Sequence, residues 1–264
     1  MPEFLANLDL LRIAGSLAQV VLALVLGRIE RVGLTGDLVR ATLRSFVQLI
    51  AVGYALELIF AADGVFWTLG LLAVMTLVAA WTSAGRAGGL SGALLITSVG
   101  IGAATALTLG LLVALDVFDF SPRYIIPVAG MVIGNAMTTI SLVMGRIIDD
   151  LRGERETVET ALALGATGRI AARPVVRRAI RASLVPIIDT TRTVGLIKLP
   201  GAMTGMILAG AAPLEAVQIQ LVIIYMLVGS TAMSALVAAV MTSSRCFTAA
   251  HQLVLPAAST EGSR

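Results

Sequence analysis

The sequence predicts an all-α, polytopic membrane protein of about seven transmembrane helices with a cytosolic helical protrusion. Three observations carry that prediction. Apolar residues make up 58% of the 264 residues and charged ones only 13%, with a mean hydropathy of +0.95. A soluble domain of this length needs a charged shell around one core, and this composition does not supply one. The apolar residues also come in long runs, near the ~20 residues that a helix needs to cross hydrocarbon. Finally, arginine is concentrated in alternate connections between those runs.

The runs give seven expected spans. The first covers 8–27, with Asp9 and Arg12 at its outer end. Glu3 and Asp9 precede it where a secretory signal would carry positive charge, so it reads as a permanent span. The second, 43–62, carries Arg44, Gln48 and Glu57. The third, Val65–Ala84, ends near Trp81, and the fourth, 90–115, has no charge at all. The fifth, 124–148, meets its first charge at Arg146. The sixth lies within 193–214 and is interrupted by Lys198, Pro200, Gly201, Gly205 and Gly210. The seventh, 216–244, is again uncharged. The chain thus reads as a single membrane domain over 1–264, with a cytosolic region at 149–182 and a flexible tail at 249–264.

Arginine sets the orientation. The first connection holds Arg28, Arg31 and Arg40, the third Arg86, and the long fifth one Arg152, Arg155, Arg169, Arg173, Arg177, Arg178 and Arg181. The second and sixth hold none and the fourth only Arg123. Odd-numbered connections are therefore expected in the cytosol, with the N-terminus outside, the C-terminus inside and the chain in the plasma (cell inner) membrane. The net charge of +3 suits loops beside anionic lipid, not a nucleic-acid binder.

Several chemistries are disfavoured. Cys246 is alone, so no internal disulfide forms, and with His251 as the sole histidine the usual zinc ligand sets are out of reach. There is no Gly-x-Ser-x-Gly nucleophile and no His-Glu-x-x-His. Asp149 and Asp150, between Arg146 and Arg152, read as helix-end charges paired with neighbours. The sole lysine, Lys198, sits in Gly-Leu-Ile-Lys-Leu-Pro, which is no phosphate-cradling loop. The expectation is a protein that is not an enzyme and binds no cofactor itself; if ATP drives it, another chain hydrolyses the ATP.

The cytosolic connection is the most informative segment. Val158, Ala161, Leu162 and Gly165 fall at i, i+3, i+4 and i+7, one face of a short helix. Acids precede it at the positive helix end, and Gly165 stops it. A second helix restarts around Pro174, and Arg169, Arg173, Arg177 and Arg181 form a basic stripe along it. A short helix of small residues protruding from a membrane domain suits docking in a groove on a soluble partner; lying on lipid headgroups is the other reading of the same pattern.

The residues Glu159-Thr-Ala161-Leu-Ala-Leu-Gly165-Ala resemble the Glu-Ala-Ala-x-x-x-Gly coupling motif of ABC-transporter permeases, with Thr160 where that family often has alanine. Pro174 and Pro186 also fall differently from the proline of the longer motif. More of the chain is similar to one permease family in particular. The stretches are Gly130-Met-Val-Ile-Gly134-Asn135-Ala-Met137, 159–166, Leu199-Pro200-Gly201-Ala-Met203-Thr204-Gly205-Met206-Ile-Leu-Ala-Gly210 and Pro213-Leu-Glu215-Ala-Val-Gln218-Ile-Gln220. They resemble the Fet-type iron-export ABC-transporter permeases, which are related to plant aluminium-tolerance half-transporters. The resemblance implies a permease homodimer that pairs with a separate ABC ATPase carrying the ATP, and a role in metal homeostasis. It implies coupling through Val158, Glu159, Ala161, Leu162 and Gly165. For the cargo it implies iron or another metal; a UDP-sugar or other small solute moved by the same architecture is the alternative. An ATP-independent secondary transporter or membrane scaffold is the third reading.

Polar groups in spans are costly unless paired or facing a cavity. Gln48, Glu57 and Asn135 are the candidates on that ground, Asn135 having no easy bond to its own helix. Pro200, Gly201, Met203 and Gly205 join them, because irregular backbone at membrane depth is tolerated only against protein or a water-filled route. The glycines of Gly130-x-x-x-Gly134 and Gly201-x-x-x-Gly205 also fit close helix packing. The methionines at 131, 137, 144, 203, 206, 226, 233 and 241 read chiefly as gap fillers, and metal ligands are left unassigned.

Overall fold

The computed structural model describes residues 10–30, 33, 35–62, 64–117 and 120–256. They hold nine α-helices: α1 (Leu10–Ile29), α2 (Thr35–Ala62), α3 (Val65–Ala84), α4 (Ala93–Ala114), α5 (Pro122–Gly153), α6 (Arg155–Ala163), α7 (Gly168–Thr193), α8 (Gly201–Leu208) and α9 (Pro213–Arg245). Five stretches among the described residues are long and apolar enough to cross a membrane: Gly36–Ile59, Val65–Ala84, Ala93–Ala114, Pro122–Gly153 and Pro213–Arg245. The chain is a polytopic, all-α membrane protein. Its contacts divide it into two units, Met1–Ala62 and Asp63–Arg264.

The first unit is the pair α1 and α2. Within α1 the apolar stretch is Leu17–Ile29; positions 8 and 9, where the expected first span begins, lie outside the described residues, as does the N-terminus whose side was expected. Leu43, Leu49 and Leu58 of α2 are exposed.

In the second unit α5 is the central post. Its Ile133, Ala136, Ile140, Val143, Met144, Ile147 and Leu151 recur at three- and four-residue spacing and are all buried, and it packs against α3, α4, α7 and α9. Lipid tails are as apolar as leucine, so tight packing of small residues must hold these helices together. Gly100 shows the requirement: a Cβ there would lie 2.7 Å from Ile140 Cδ1 and 3.9 Å from Ser234 O, where α4, α5 and α9 meet. Ser230, Ser234, Ala235, Ala238 and Ala239 supply the matching small side chains of α9.

Contacts order the helix ends into two sides. Ser83, at the end of α3, is 2.9 Å from Ser141 on α5, and Thr97, at the start of α4, donates to Ala80 O at 2.9 Å. Gly92, before α4, lies against the Arg245 guanidinium at the end of α9, and Gly168, opening α7, lies against Phe247. Those ends share a side with α6. Val132, Ile187, Ile223 and Leu227 cluster toward the opposite side. Helices α3, α5 and α9 therefore run toward the α6 side, and α4 and α7 run away from it.

This ordering corrects the expected sixth span. Residues 193–214 form a tight turn and the eight-residue α8, only ~12 Å long at 1.5 Å per residue. Gly195 (φ +82°) and Gly210 (φ +96°) adopt left-handed backbone around Pro200, and they break the run that average apolarity alone suggests. The return from the α6 side is made instead by α7, 26 residues and ~39 Å long. Its arginines, Asp189 and Arg192 hide it from a hydropathy reading. The tail expected to be loose from position 249 is tied down as far as Pro256. Val254 N donates to Cys246 O at 2.8 Å, Thr248 N to Gln252 O at 2.9 Å, and Arg152 Nη2 to Pro256 O at 3.0 Å.

Candidate functional site: a cavity beneath the broken segment and a seated protruding helix

The broken segment closes one cavity of about 320 Å³ in the second unit, walled by α5, α7 and α9. The turn that builds it is specific. Thr193 O accepts the amides of Leu196, Ile197 and Lys198 at 3.3, 3.0 and 3.2 Å, and Gly195 N donates to Lys198 O at 3.0 Å. The chain thereby doubles back over the negative end of α7, where a cation is favoured, and Lys198 lines the cavity. Pro200 then caps α8, its carbonyl accepting Thr204 N at 3.0 Å and Thr204 Oγ1 at 3.1 Å. The irregular backbone is thus satisfied internally, as its membrane setting demands.

Asn135, Pro200 and Gly201 of the expected pathway residues come together on this cavity. Met203 and Gly205 lie on α8 outside its lining, Met203 half-buried and Gly205 exposed. Asn135 does have an easy bond to its own helix, contrary to expectation: Nδ2 donates to Met131 O at 2.8 Å, and its oxygen side remains for a ligand. Gly130 makes a close helix contact, a Cβ there lying 3.4 Å from Met75 Cε, whereas at Gly134, Gly201 and Gly205 a Cβ would meet nothing within 4 Å. Packing within this chain does not explain those three.

Sequence reasoning missed two lining residues. Gln220 is 7% exposed, lines the cavity and has an unpaired Oε1. A buried amide oxygen without a donor costs about 1–3 kcal/mol, so it is a ready acceptor for a cargo or a water. Its signal was an amide inside an uncharged span. Lys198 was discounted for lacking a phosphate loop; its signal was being the sole lysine, set in an apolar run. Thr138, Thr139 and Thr190 complete the polar lining. No Asp or Glu lines the cavity, and among the described residues no three of His, Cys, Asp and Glu gather to hold a metal ion. Met144 is wholly buried and Met75, Met137, Met226 and Met241 pack on the core, so these methionines fill gaps.

Gln48 and Glu57 belong to the first unit. They are nine residues apart on α2, about 180° around a helix of 100° per residue, so they occupy opposite faces. Glu57 shares a recess on α2 with Phe46, Gly53 and Tyr54.

The protruding helix exists as expected but faces differently. α5 continues for eight residues beyond its uncharged part, and α6 is mounted on that extension. Val158 is 2% exposed and Leu162 packs beside it on the chain's own core. The Val158 and Leu162 side of α6 is therefore its seat and is not open to a partner. Glu154 and Arg178 pair to fix the start of α6 against α7. Arg155 Nε donates to Glu159 at 2.7 Å, and Gly165, at φ +90°, ends the helix in the left-handed region. The outward face carries Glu156, Glu159, Thr160, Ala163 and Leu164, the last 84% exposed; Ala161 is half-buried at its margin.

Comparison with known proteins identifies the family. The model of the family described as "Uncharacterised protein family (UPF0014)" matches residues 10–247. The chain belongs to the UPF0014 family of membrane proteins. One member, the "UPF0014 membrane protein STAR2" of Oryza sativa subsp. japonica, is 44% identical over 251 residues, covering 95% of this chain and 87% of that protein. Another, "Protein ALUMINUM SENSITIVE 3" of Arabidopsis thaliana, is 42% identical over 240 residues, 91% and 88% of the two chains. A third, the "Probable iron export permease protein FetB" of Escherichia coli (strain K12), is 33% identical over 243 residues, 92% and 94% of the two chains. No solved structure matches the chain. For a UPF0014 protein the resemblance read from residues 130–137, 159–166, 199–210 and 213–220 therefore pointed to the right family.

Proposed function

We propose that this chain is the permease subunit of an ATP-driven ABC exporter serving metal efflux and homeostasis. It works as a homodimer with two ATPase subunits, each docked on the outward face of α6. The single observation carrying this reading is the way α6 is built. A nine-residue helix, seated by Val158 and Leu162 and tied by Glu154–Arg178, offers Glu159, Ala163 and Leu164 to the outside. Such a helix transmits a push along α5 and α7 into the bundle, because both are packed on it. The relative named as an iron export permease supports metal as cargo. Asn135, Gln220 and the threonines would handle the cargo beneath Pro200 and Gly201.

Lys198 supports a second reading of the cargo. An ammonium beside the cavity repels a bare metal cation and attracts an anion. A metal chelate with net negative charge, a UDP-sugar or another small anionic solute suits that lining better. Vesicles holding the permease and its ATPase, supplied with ATP and either ferrous iron or UDP-glucose, test both readings. ATP-dependent movement of iron unaffected by Lys198→Met supports the bare cation. Movement of the anionic solute alone, slowed about tenfold or more by Lys198→Met, supports the second. Movement of neither, with an active ATPase bound, contradicts both cargo assignments.

A further inference from the structure

The basic stripe on α7 is not used by the transport reading, and the structure gives it a setting. A cavity of about 770 Å³ lies between the first half of α7, the end of α9 and the folded-back segment after it. Arg169, Arg173 and Arg177 line it at four-residue spacing, on one helix face. No Asp or Glu lines it. Three other arginines on the same side are paired, Arg152 at 3.6 Å from Asp149, Arg155 at 2.7 Å from Glu159 and Arg178 with Glu154. No ion pair among the described residues uses Arg169, Arg173 or Arg177. Three guanidinium groups thus line one cavity along the first half of a 26-residue helix, without counter-charge in its lining.

The remaining lining adds direction. Ser243, Thr248 and His251 supply polar groups at the rim. His251 Nδ1 faces Gly168 N at 3.4 Å, which leaves its other ring nitrogen for a ligand. Phe247 closes one end so tightly that a Cβ on Gly168 would lie 2.6 Å from its ring, and the cavity therefore has a fixed wall. Ile170, beside the arginines on α7, and Val240, on α9, add exposed apolar surface to the lining, at 61% and 66% exposure. Val240 belongs to the uncharged run of α9, which meets its first charge at Arg245. The boundary between hydrocarbon and headgroups therefore crosses the cavity.

We infer that this cavity binds the phosphodiester headgroup of an anionic phospholipid from the leaflet on the α6 side. Arg169, Arg173 and Arg177 hold the phosphate, and Ile170 and Val240 flank the acyl chains. Basic pockets between helices at the membrane surface suit such headgroups, and arginine suits the phosphate oxygens through bidentate bonding. The apolar flank separates this ligand from free phosphate, which would gain nothing from it.

The inference stands apart from the transport reading, because it is tested on the purified full chain without ATPase or cargo. Native mass spectrometry in detergent reads retained lipid against added phosphatidylglycerol or phosphatidylcholine. Preferential retention of phosphatidylglycerol is expected, with inorganic phosphate at millimolar concentration failing to displace it. Arg169→Gln and Arg173→Gln should each weaken retention about fivefold, and the triple variant with Arg177→Gln about a hundredfold. Phosphatidylcholine adducts should not change. Arg155→Gln, which removes a paired arginine on the same side, should leave phosphatidylglycerol retention intact. The single variants remove exposed, unpaired side chains, so folding is preserved where the triple variant is lost. Equal retention by wild type and single variants overturns the inference. Full displacement by inorganic phosphate overturns the lipid source and leaves a free-anion pocket.

Discussion

Cys246 and Gln220 show how similar burial gives opposite roles. Cys246 is fully buried behind the end of α9, and burial pushes its thiol up to about 11. The thiolate is the reactive form, so from an ordinary 9.0 to about 11 the reactive fraction at pH 8 falls about a hundredfold. N-ethylmaleimide should therefore modify Cys246 at pH 8 about a hundredfold more slowly than a cysteine introduced at the exposed Thr167, and the rate should climb as pH approaches 11. Equal rates at pH 8 would mean that the tail does not cover it. Gln220 is also buried, at 7% exposure, but beside empty space, so its free oxygen is available to a ligand. Sequence alone distinguishes neither case. A lone cysteine near a chain end and a glutamine in an apolar run look the same whether they face a core or a cavity. Asn135 and Pro200 were legible because polarity and helix breaking are costly in a membrane wherever they point.

At the scale of the element, α6 was legible as a helix and misread as a surface. Its periodicity marks an apolar face, and periodicity cannot say whether that face meets a partner or the chain's own α5 and α7. Burial of Val158 answers that. Removing its side chain should loosen the helix, since burying a valine contributes about 1.5–3 kcal/mol. Val158→Ala should raise amide hydrogen exchange across 155–163 while leaving exchange in α5 and α9 unchanged. Unaltered exchange in α6 would show that Val158 does not seat it. Helix α7 failed in the other direction. Its arginines, Pro186 and Asp189 argue against a span one residue at a time, and packing carries it through the bundle, Ala172, Val175 and Ala179 in the main core and Ile187 with Val132, Ile223 and Leu227.

For the whole molecule, four of the five crossings expected in the second unit coincide with helices long and apolar enough to cross a membrane, and α7 rather than residues 193–214 leads the chain back from the α6 side. Both placements put Thr167 and Ala212 on opposite sides, but only a return through α7 puts the turn at 194–200 on the side of Ala212. Impermeant maleimide added to intact cells should label cysteines at Leu196 and Ala212 and spare one at Thr167. Labelling of Ala212→Cys without Leu196→Cys would restore a crossing after α7 and contradict the fold. Family membership was legible because it rests on ordered segments, 130–137 through 213–220, that survive any error in span boundaries. The cargo was not legible, since a cavity of amides, hydroxyls and one ammonium is built from residues spread over Asn135 to Gln220.

The central claim is that the outward face of α6 couples this permease to an ATPase. Leu164 is 84% exposed and touches no part of the core, so Leu164→Asp should leave folding intact while placing a charge in any apolar cleft that receives it. Ala161→Trp, at the margin of that face, should overpack the contact at a cost of about 1–3 kcal/mol. The decisive measurement is co-purification of the ATPase with Leu164→Asp permease, alongside the thermal stability of that permease alone. Loss of the ATPase with unchanged stability is the predicted result; wild-type recovery of the ATPase with full permease-stimulated hydrolysis would contradict the coupling role of α6.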